Sequence, residues 1–414
     1  MPIRGVAANP KVVLALIRIA RLPNEGKRKA KNMSQGIAES GFPALPRWTI
    51  ALDGGTTNTR ARLLHGEQIV ATCRNSVGAR DTVRNARAAE PPASAEVSDS
   101  HHRPGRRLLE DAIRELVAEL RAALNVSVKP GSASPSIDLI VAAGMLSSEA
   151  GLAEVPHLMA PAGLGELAAG MVVRSFPAIA EEPIWFVPGV RSPAGPGPEG
   201  WTRADVMRGE ESETLGAYHH LLRRGRIDPA QGAARFLWPG SHTKLVELDA
   251  LGRIVGSHTT LAGELFEAIG RHTLVSSSLP DRWPDELDDA TVATAEKIVS
   301  AEGLGRAAFL VRVADLTHAL VPEQRAAFLL AAIVAEDVRS LAGHLGAENR
   351  PIWVGGRQPL RDLYTRFLQA RLPGPVVPIE DELAEAASAL GALAIANRRR
   401  ELDLEGRDRT LPLG

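Results

Sequence analysis

The chain has 414 residues, enough for two globular lobes, and its 44% hydrophobic and 23% charged content supports sizeable cores and argues against global disorder. Its 48 basic and 49 acidic side chains leave a formal charge of −1, which argues against a nucleic-acid protein relying on a basic surface. A single cysteine, Cys73, excludes an internal disulfide framework and any multi-cysteine metal centre, and fits a reducing cytosol.

Residues 1–47 are basic and poor in acid: Arg4, Lys11, Arg18, Arg21, Lys27, Arg28, Lys29, Lys31 and Arg47 stand against Glu25 and Glu39. This leader reads as a disordered extension, or as a start placed upstream of Met33, with a targeting peptide or nucleic-acid arm as the alternatives. Its apolar run, Val12–Ile17, falls far short of the roughly 20 residues that cross a bilayer. The first strand is expected at Trp48–Leu52 and runs into Asp53-Gly54-Gly55-Thr56-Thr57-Asn58. Strands at Arg60–Leu64 and Gln68–Ala71 follow, turning at His65-Gly66-Glu67. Residues 84–105 are polar, proline-rich and aperiodic, a surface insertion. From Arg106 to Leu124, Leu109, Ile113, Leu116, Val117, Leu120 and Leu124 recur at helical spacing and predict a one-sided amphipathic helix. Ile137–Ala143 reads as a buried strand entering Gly144-Met145. Ile184–Val187 reads as another, followed by a Pro/Gly loop through Gly200. Within that loop Gly195–Gly200 has a dinucleotide-type glycine spacing, but two prolines and no following helix make it a plain loop.

The second half repeats the theme. Phe236–Trp238 leads to Pro239-Gly240-Ser241-His242-Thr243. Lys244–Leu248, a turn at Asp249–Gly252 and Ile254–Thr260 then form a hairpin entered through a glycine-hydroxyl loop. A well-buried helix is expected at Pro322–Leu345, a strand at Ile352–Val354 entering Gly355-Gly356, and an alanine-rich helix at Glu382–Ala396 before a polar tail, 399–414. Strands alternating with long helices imply an α/β fold with mixed sheets flanked by helices. The expected division is an N-terminal lobe, 48–232, and a C-terminal lobe, 233–398.

The chemistry resides in separated turns, since no Walker-type phosphate loop occurs. At 53–58 a strand-end carboxylate sits beside two glycines and two threonines. Glycines let backbone N–H groups crowd round phosphate oxygens, and the hydroxyls add donors. A carboxylate in such a loop makes sense if a cation lies between it and the phosphate, and Mg²⁺ suits that place. Taken alone, the motif reads more readily as an ordinary hairpin turn. Gly240-Ser241-His242-Thr243 is a second such turn, and Gly355-Gly356 could let a ligand lie flat against backbone.

One glycine-hydroxyl hairpin in each half, then a late strand-Gly-Gly, resembles the sugar kinase/Hsp70/actin superfamily, in which two related ribonuclease H-like lobes clamp ATP. Ala51–Arg60, Ala143-Gly144-Met145, Val206-Met207-Arg208-Gly209-Glu210-Glu211, Pro239–Lys244 and Gly263-Glu264-Leu265 are similar, in order, to motifs of the 2-dehydro-3-deoxygalactonokinase family. The resemblance spans roughly residues 48–396; the leader, the insertion and the tail depart from it. It implies ATP-dependent phosphorylation of 2-dehydro-3-deoxy-D-galactonate at its 6-hydroxyl, on the route from galactonate to pyruvate and a triose phosphate. Under that resemblance Asp53 is the Mg²⁺ residue. Gly54, Gly55, Thr56, Thr57, Gly240, Ser241 and Thr243 hold phosphates, and Gly355 and Gly356 lie under adenosine. Related kinases carry a Gly-acid pair opening a helix before the second hairpin, which makes Glu210 the expected base and Glu211 the second candidate; a carboxylate there also simply suits the helix dipole.

The substrate carboxylate needs a cation, and arginine suits it by bidentate geometry. Arg208 and Arg60 are the candidates, with Lys244 third; Asn58 and His242 complete the expected substrate set. The expected partner is a 2-keto-3-deoxy sugar acid, with no nucleic acid and no membrane, in the cytoplasm; a homodimer stays open. The alternatives are a kinase of another sugar on the same scaffold and a non-catalytic sugar-sensing regulator.

Overall fold

The structure is a computed structural model and describes residues 47–83, 104–127, 135–228, 233–282, 284, 286–346 and 349–408. The expected leader up to residue 46, the insertion from 84 to 103 and the last six residues lie outside the described residues. In chain order the elements are β1 (Trp48–Gly54), β2 (Thr59–His65), β3 (Gln68–Asn75), α1 (Pro104–Ser127), β4 (Leu139–Gly144), β5 (Leu158–Met159), α2 (Leu164–Ala169), β6 (Val172–Arg174), β7 (Ile184–Phe186), β8 (Val190–Arg191), β9 (Val206–Met207) and α3 (Glu210–Arg223). There follow β10 (Arg235–Trp238), β11 (Thr243–Leu248), β12 (Ile254–Thr260), α4 (Ala262–His272), α5 (Asp289–Leu316), α6 (Pro322–Leu345), β13 (Ile352–Val354), α7 (Leu360–Arg371), β14 (Val376–Pro378) and α8 (Asp381–Asp408). Among the described residues no helix is long and apolar enough to cross a membrane.

The described residues pack into two compact units: the first is drawn from 47–190, 207–216 and 386–408, and the second from 191–206 and 217–385. The expected single cut at 232/233 is therefore not where the contacts divide. The expected polar tail is also helical as far as Asp408. Arg398 with Glu401 and Glu405, and Arg399 with Asp403, pair at one- and two-turn spacing, so its charges stabilise the helix they were expected to end.

In the first unit a six-stranded mixed sheet runs in the order β3-β2-β1-β4-β7-β6. β1 is antiparallel to β2 and parallel to β4, with Asp53 level with Arg60 on one side and Ala143 on the other. Every residue of β4 is buried, as a central parallel strand covered on both faces requires. The α1 stripe from Leu109 to Leu124 is buried with Ile50, Leu52, Leu63, Ile140 and Phe186. Cys73 points into this core, where burial and then Glu119 push its thiol up to about 12. Helices α3 and α8 approach through two glycines: a Cβ at Gly216 would lie 2.0 Å from the Ala387 carbonyl oxygen, and one at Gly391 1.8 Å from that of Ser212.

In the second unit a five-stranded sheet, β12-β11-β10-β13-β14, repeats the antiparallel hairpin followed by parallel neighbours. Its core gathers Leu237, Leu245, Val354 and Phe367 around α6, which is buried along most of its length and opens on Pro322, where a missing N–H is harmless. α5 breaks at Gly303, whose φ of 82° and ψ of 169° are open to glycine but not to a side chain.

Candidate active site

The first turn sits at the carboxyl ends of the parallel strands β1 and β4, where open α/β sheets bind ligands. Gly55 N–H closes it on the Asn58 carbonyl at 2.8 Å. The Gly55 and Thr56 carbonyls accept from Ala79 N–H (3.2 Å) and Arg80 N–H (2.9 Å). The Gly55 and Thr56 carbonyls are thereby tied to the segment at 79–80. Gly55, Thr57 and Asn58 are exposed, with the Asn58 amide donating to Thr57 Oγ1 at 2.9 Å. The Asp53 side chain keeps 19% of its surface and lies 4.0 Å from the buried Arg62 guanidinium.

Close backbone approach brings a second acidic element to this point. A Cβ at Gly144 would lie 2.4 Å from the Gly54 carbonyl oxygen and 3.4 Å from Asp53 Oδ1. One at Gly209 would lie 3.2 Å from the Gly144 Cα. Both residues have positive φ, 71° and 121°, so glycine answers both the crowding and the backbone. α3 begins immediately after Gly209, with Glu210, Glu211 and Glu213 in its first turn. Acids there are stabilised by the helix dipole, but their fates differ. Glu211 is fully buried; its Oε2 accepts Gly209 N–H at 2.7 Å, and burial followed by the neighbouring Glu210 pushes it up to about 7. Glu210 is half-buried and accepts Arg208 N–H at 3.2 Å. Glu213 was not among the expected residues. Desolvation, then Asp53, then Glu210 push it up to about 8, so it shares the electrostatic field of the Asp53 turn. Its place three residues after Glu210, on the same helix face, was the available signal.

Two of the expected cations are already engaged. Arg208 donates from Nη1 to the Ser147 carbonyl (2.6 Å) and Ser147 Oγ (2.8 Å). Its Nη2 donates to the Val155 carbonyl (2.8 Å) and faces His157 Nδ1 at 3.1 Å. Burial lowers its pKa, although a guanidinium stays charged. Arg208 thus clamps the loop after β4 and is not placed to receive a substrate carboxylate. Lys244 is 3% exposed and donates to the Val206 carbonyl (2.7 Å) and Thr259 Oγ1. Arg60 is half-buried, level with Asp53 across β1 and β2, and its charge acts on Glu213.

In the second unit Ser241 is exposed, and its carbonyl accepts Glu264 N–H at 3.0 Å from the start of α4. Gly263 lets the helix in, since a Cβ there would stand 2.3 Å from the Gly240 carbonyl oxygen. His242 Nε2 lies 3.4 Å from Glu264 Oε1. Thr243 departs from expectation: it is fully buried, and its hydroxyl bonds Tyr364 OH (2.8 Å), which in turn donates to Asp337. Its side chain braces the turn from within. Gly355 lies against Trp238, where a Cβ would meet the indole at 2.2 Å, and Gly356 adopts φ 79°. Gly356, Arg357, Gln358, Asp381, Glu382 and Glu385 line a cavity of about 290 Å³ beside it.

A model of the 2-keto-3-deoxy-galactonokinase family matches residues 53–392. The chain is similar to “Probable 2-dehydro-3-deoxygalactonokinase DgoK1” of Rhizobium meliloti (strain 1021), at 28% identity over 261 residues, 62% of this chain and 78% of the relative. It is similar to the 2-dehydro-3-deoxygalactonokinase of Escherichia coli (strain K12), at 25% identity over 231 residues, 56% of this chain and 69% of the relative. Its fold is similar to the crystal structure of a Sinorhizobium meliloti protein assigned as a 2-dehydro-3-deoxygalactonokinase, with a TM-score of 0.60 and 22% identity over 84% of this chain and 98% of that one.

Proposed function

The chain belongs to the 2-keto-3-deoxy-galactonokinase family, and on that premise we propose that it transfers the γ-phosphoryl group of ATP to the 6-hydroxyl of 2-dehydro-3-deoxy-D-galactonate. The observation that carries the site assignment is the meeting of Asp53 with the first turn of α3 at the ends of β1 and β4. Phosphoryl transfer asks mainly for positioning, charge neutralisation and a base at the attacking hydroxyl, and this point offers the residues for each.

Glu210 is the base. It is the acid of the Gly209-Glu210-Glu211 run that keeps access, whereas Glu211 is sealed in and holds the backbone of Gly209. The hydroxyls of Thr56, Thr57 and Ser241 receive phosphate oxygens, with Gly54, Gly55 and Gly240 giving the close backbone approach. Thr243 supports its turn rather than touching phosphate. Arg60 receives the substrate carboxylate, and Asn58 and His242 supply polar contacts. A partly exposed carboxylate next to the Thr56 and Thr57 hydroxyls, with Glu213 coupled to it, suits a divalent cation, so Asp53 would hold Mg²⁺. When bound, Mg²⁺ neutralises charge on the ATP phosphates.

The cavity beside Gly356 takes adenosine. Its three carboxylates, Asp381, Glu382 and Glu385, repel phosphate but accept hydrogen bonds from ribose hydroxyls and an exocyclic amine. The reaction belongs to galactonate catabolism in the cytoplasm. The test is ³¹P NMR of the product from Mg-ATP and the keto-deoxy acid. A phosphate monoester on the C6 oxygen supports the reading; an ester at another hydroxyl, or none, contradicts it.

A further inference from the structure

Arg208 stands two residues before Glu210 and is held in a way that substrate binding does not require. Its side chain ends in four Nη hydrogens, and each meets an acceptor of the same unit. Nη1 donates to the carbonyl and the hydroxyl of Ser147, at 2.6 and 2.8 Å, and Nη2 to the Val155 carbonyl at 2.8 Å and to His157 Nδ1 at 3.1 Å. A guanidinium only donates, so His157 Nδ1 accepts and the ring carries its proton on Nε2. Gly189 leaves room for that ring, since a Cβ there would stand 2.7 Å from His157 Cδ2. Ser147 is fully buried, and its hydroxyl, while accepting from Arg208, donates to the Gly144 carbonyl at 3.0 Å. The Ser147 carbonyl also accepts Val155 N–H at 3.0 Å, so these acceptors are tied to one another as well as to the arginine.

The place of these acceptors in the fold gives the clamp its meaning. Gly144 ends β4 level with Gly54, the residue after Asp53. A path of contacts therefore runs from the Asp53 turn through Gly144 and Ser147 to Arg208, and the chain then reaches Glu210 in two residues. The far end closes as well, because Glu210 Oε2 accepts Arg208 N–H at 3.2 Å. Burial works against the guanidinium charge, while Glu211 and then Glu154 favour it. We propose that Arg208, Ser147 and His157 are positioning residues that set the Glu210 carboxylate relative to Asp53. This rests on the kinase reading and deepens it: Asp53 and Glu210 come from distant parts of the sequence, and the clamp is what fixes one against the other. It also gives Arg208 a role other than binding substrate, since its Nη hydrogens are already taken.

The test compares kcat and the KM for the keto-deoxy acid in the full chain and in S147A, H157L and H157N, with melting curves giving the folded fraction. S147A removes the hydroxyl that joins Gly144 to Arg208. H157L removes an acceptor from Nη2, and H157N restores one on a side chain of similar reach. The expected result is a fall in kcat of about tenfold or more in S147A and H157L, with KM within about threefold of wild type, and recovery of kcat in H157N. The two His157 variants carry the test if S147A does not fold. Wild-type kcat in both S147A and H157L overturns the inference. So does a rise in KM at unchanged kcat, which would make Arg208 a substrate contact, and so does a loss in H157L that H157N fails to recover. An unaltered chain that releases no ADP with any keto-deoxy acid overturns the kinase reading itself, and this inference with it.

Discussion

Glu210 and Glu211 are adjacent in sequence and opposite in surroundings, which separates their mutants. Glu210→Gln should lower kcat by about 10²–10⁴-fold, the usual weight of a general base, with ADP affinity unchanged in a binding titration. Glu211→Gln keeps a carbonyl oxygen for Gly209 N–H and should leave kcat within about tenfold. Glu211 should instead govern stability. Its pKa rises from about 4.5 in the unfolded chain to about 7 in the folded one, so the folded state holds the proton more tightly. Its contribution is therefore present in full below pH 4.5 and is lost as pH rises through 7. Urea unfolding at pH 5, 6, 7 and 8 should show wild type losing stability relative to Glu211→Gln across that window; parallel curves would contradict the burial of this acid. The two glycine-hydroxyl turns were legible as turns because glycine and hydroxyl residues stand together at strand ends. The engagement of Lys244 and Arg208 was not legible, because their partners Val206, Thr259, Ser147 and Val155 are distant in the chain and a lone cation gives no sign of being buried.

The elements were legible where apolar residues run together or recur at helical spacing. Pro322–Leu345 and Ile352–Val354 match the expected bounds, and the α1 stripe is the buried one. Polar braces inside the core were not legible. Thr243, Tyr364 and Asp337 join the start of β11 to α7 and α6 through two hydrogen bonds, and burial raises the pKa of the Asp337 carboxyl. Tyr364→Phe strips both partners at once and should cost about 1–3 kcal/mol, seen as a lower urea midpoint at unchanged slope. The contact of α3 with α8 is another property of pairs rather than of either helix. Because Gly391 faces the Ser212 carbonyl at a distance no Cβ tolerates, Gly391→Ala should push α8 off the helix that carries Glu210. It should lower both the melting temperature and kcat, whereas an unchanged melting curve would contradict this packing.

At the scale of the whole chain, the sequence indicated two α/β bodies but not that each is assembled from separate stretches. Residues 207–216 and 386–408 pack with the first unit although 191–206 and 217–385, which belong to the second, precede them. A linear reading places one boundary where composition changes, and nothing local to Glu385 or Gly216 marks a crossing, since α8 and α3 continue as unbroken helices there. The charged end of α8 was misread for the same reason: alternating charges look like solvated tail until their helical pairing is seen. Phosphorylation of a keto-deoxy sugar acid is read from ADP release with Mg-ATP and a panel of acceptors: 2-dehydro-3-deoxygalactonate, its gluco epimer, N-acetylglucosamine, glycerol and none. Turnover is expected with the galacto acid and none with glycerol, N-acetylglucosamine or water. Turnover on a neutral sugar with silence on the acids would contradict the sugar-acid activity.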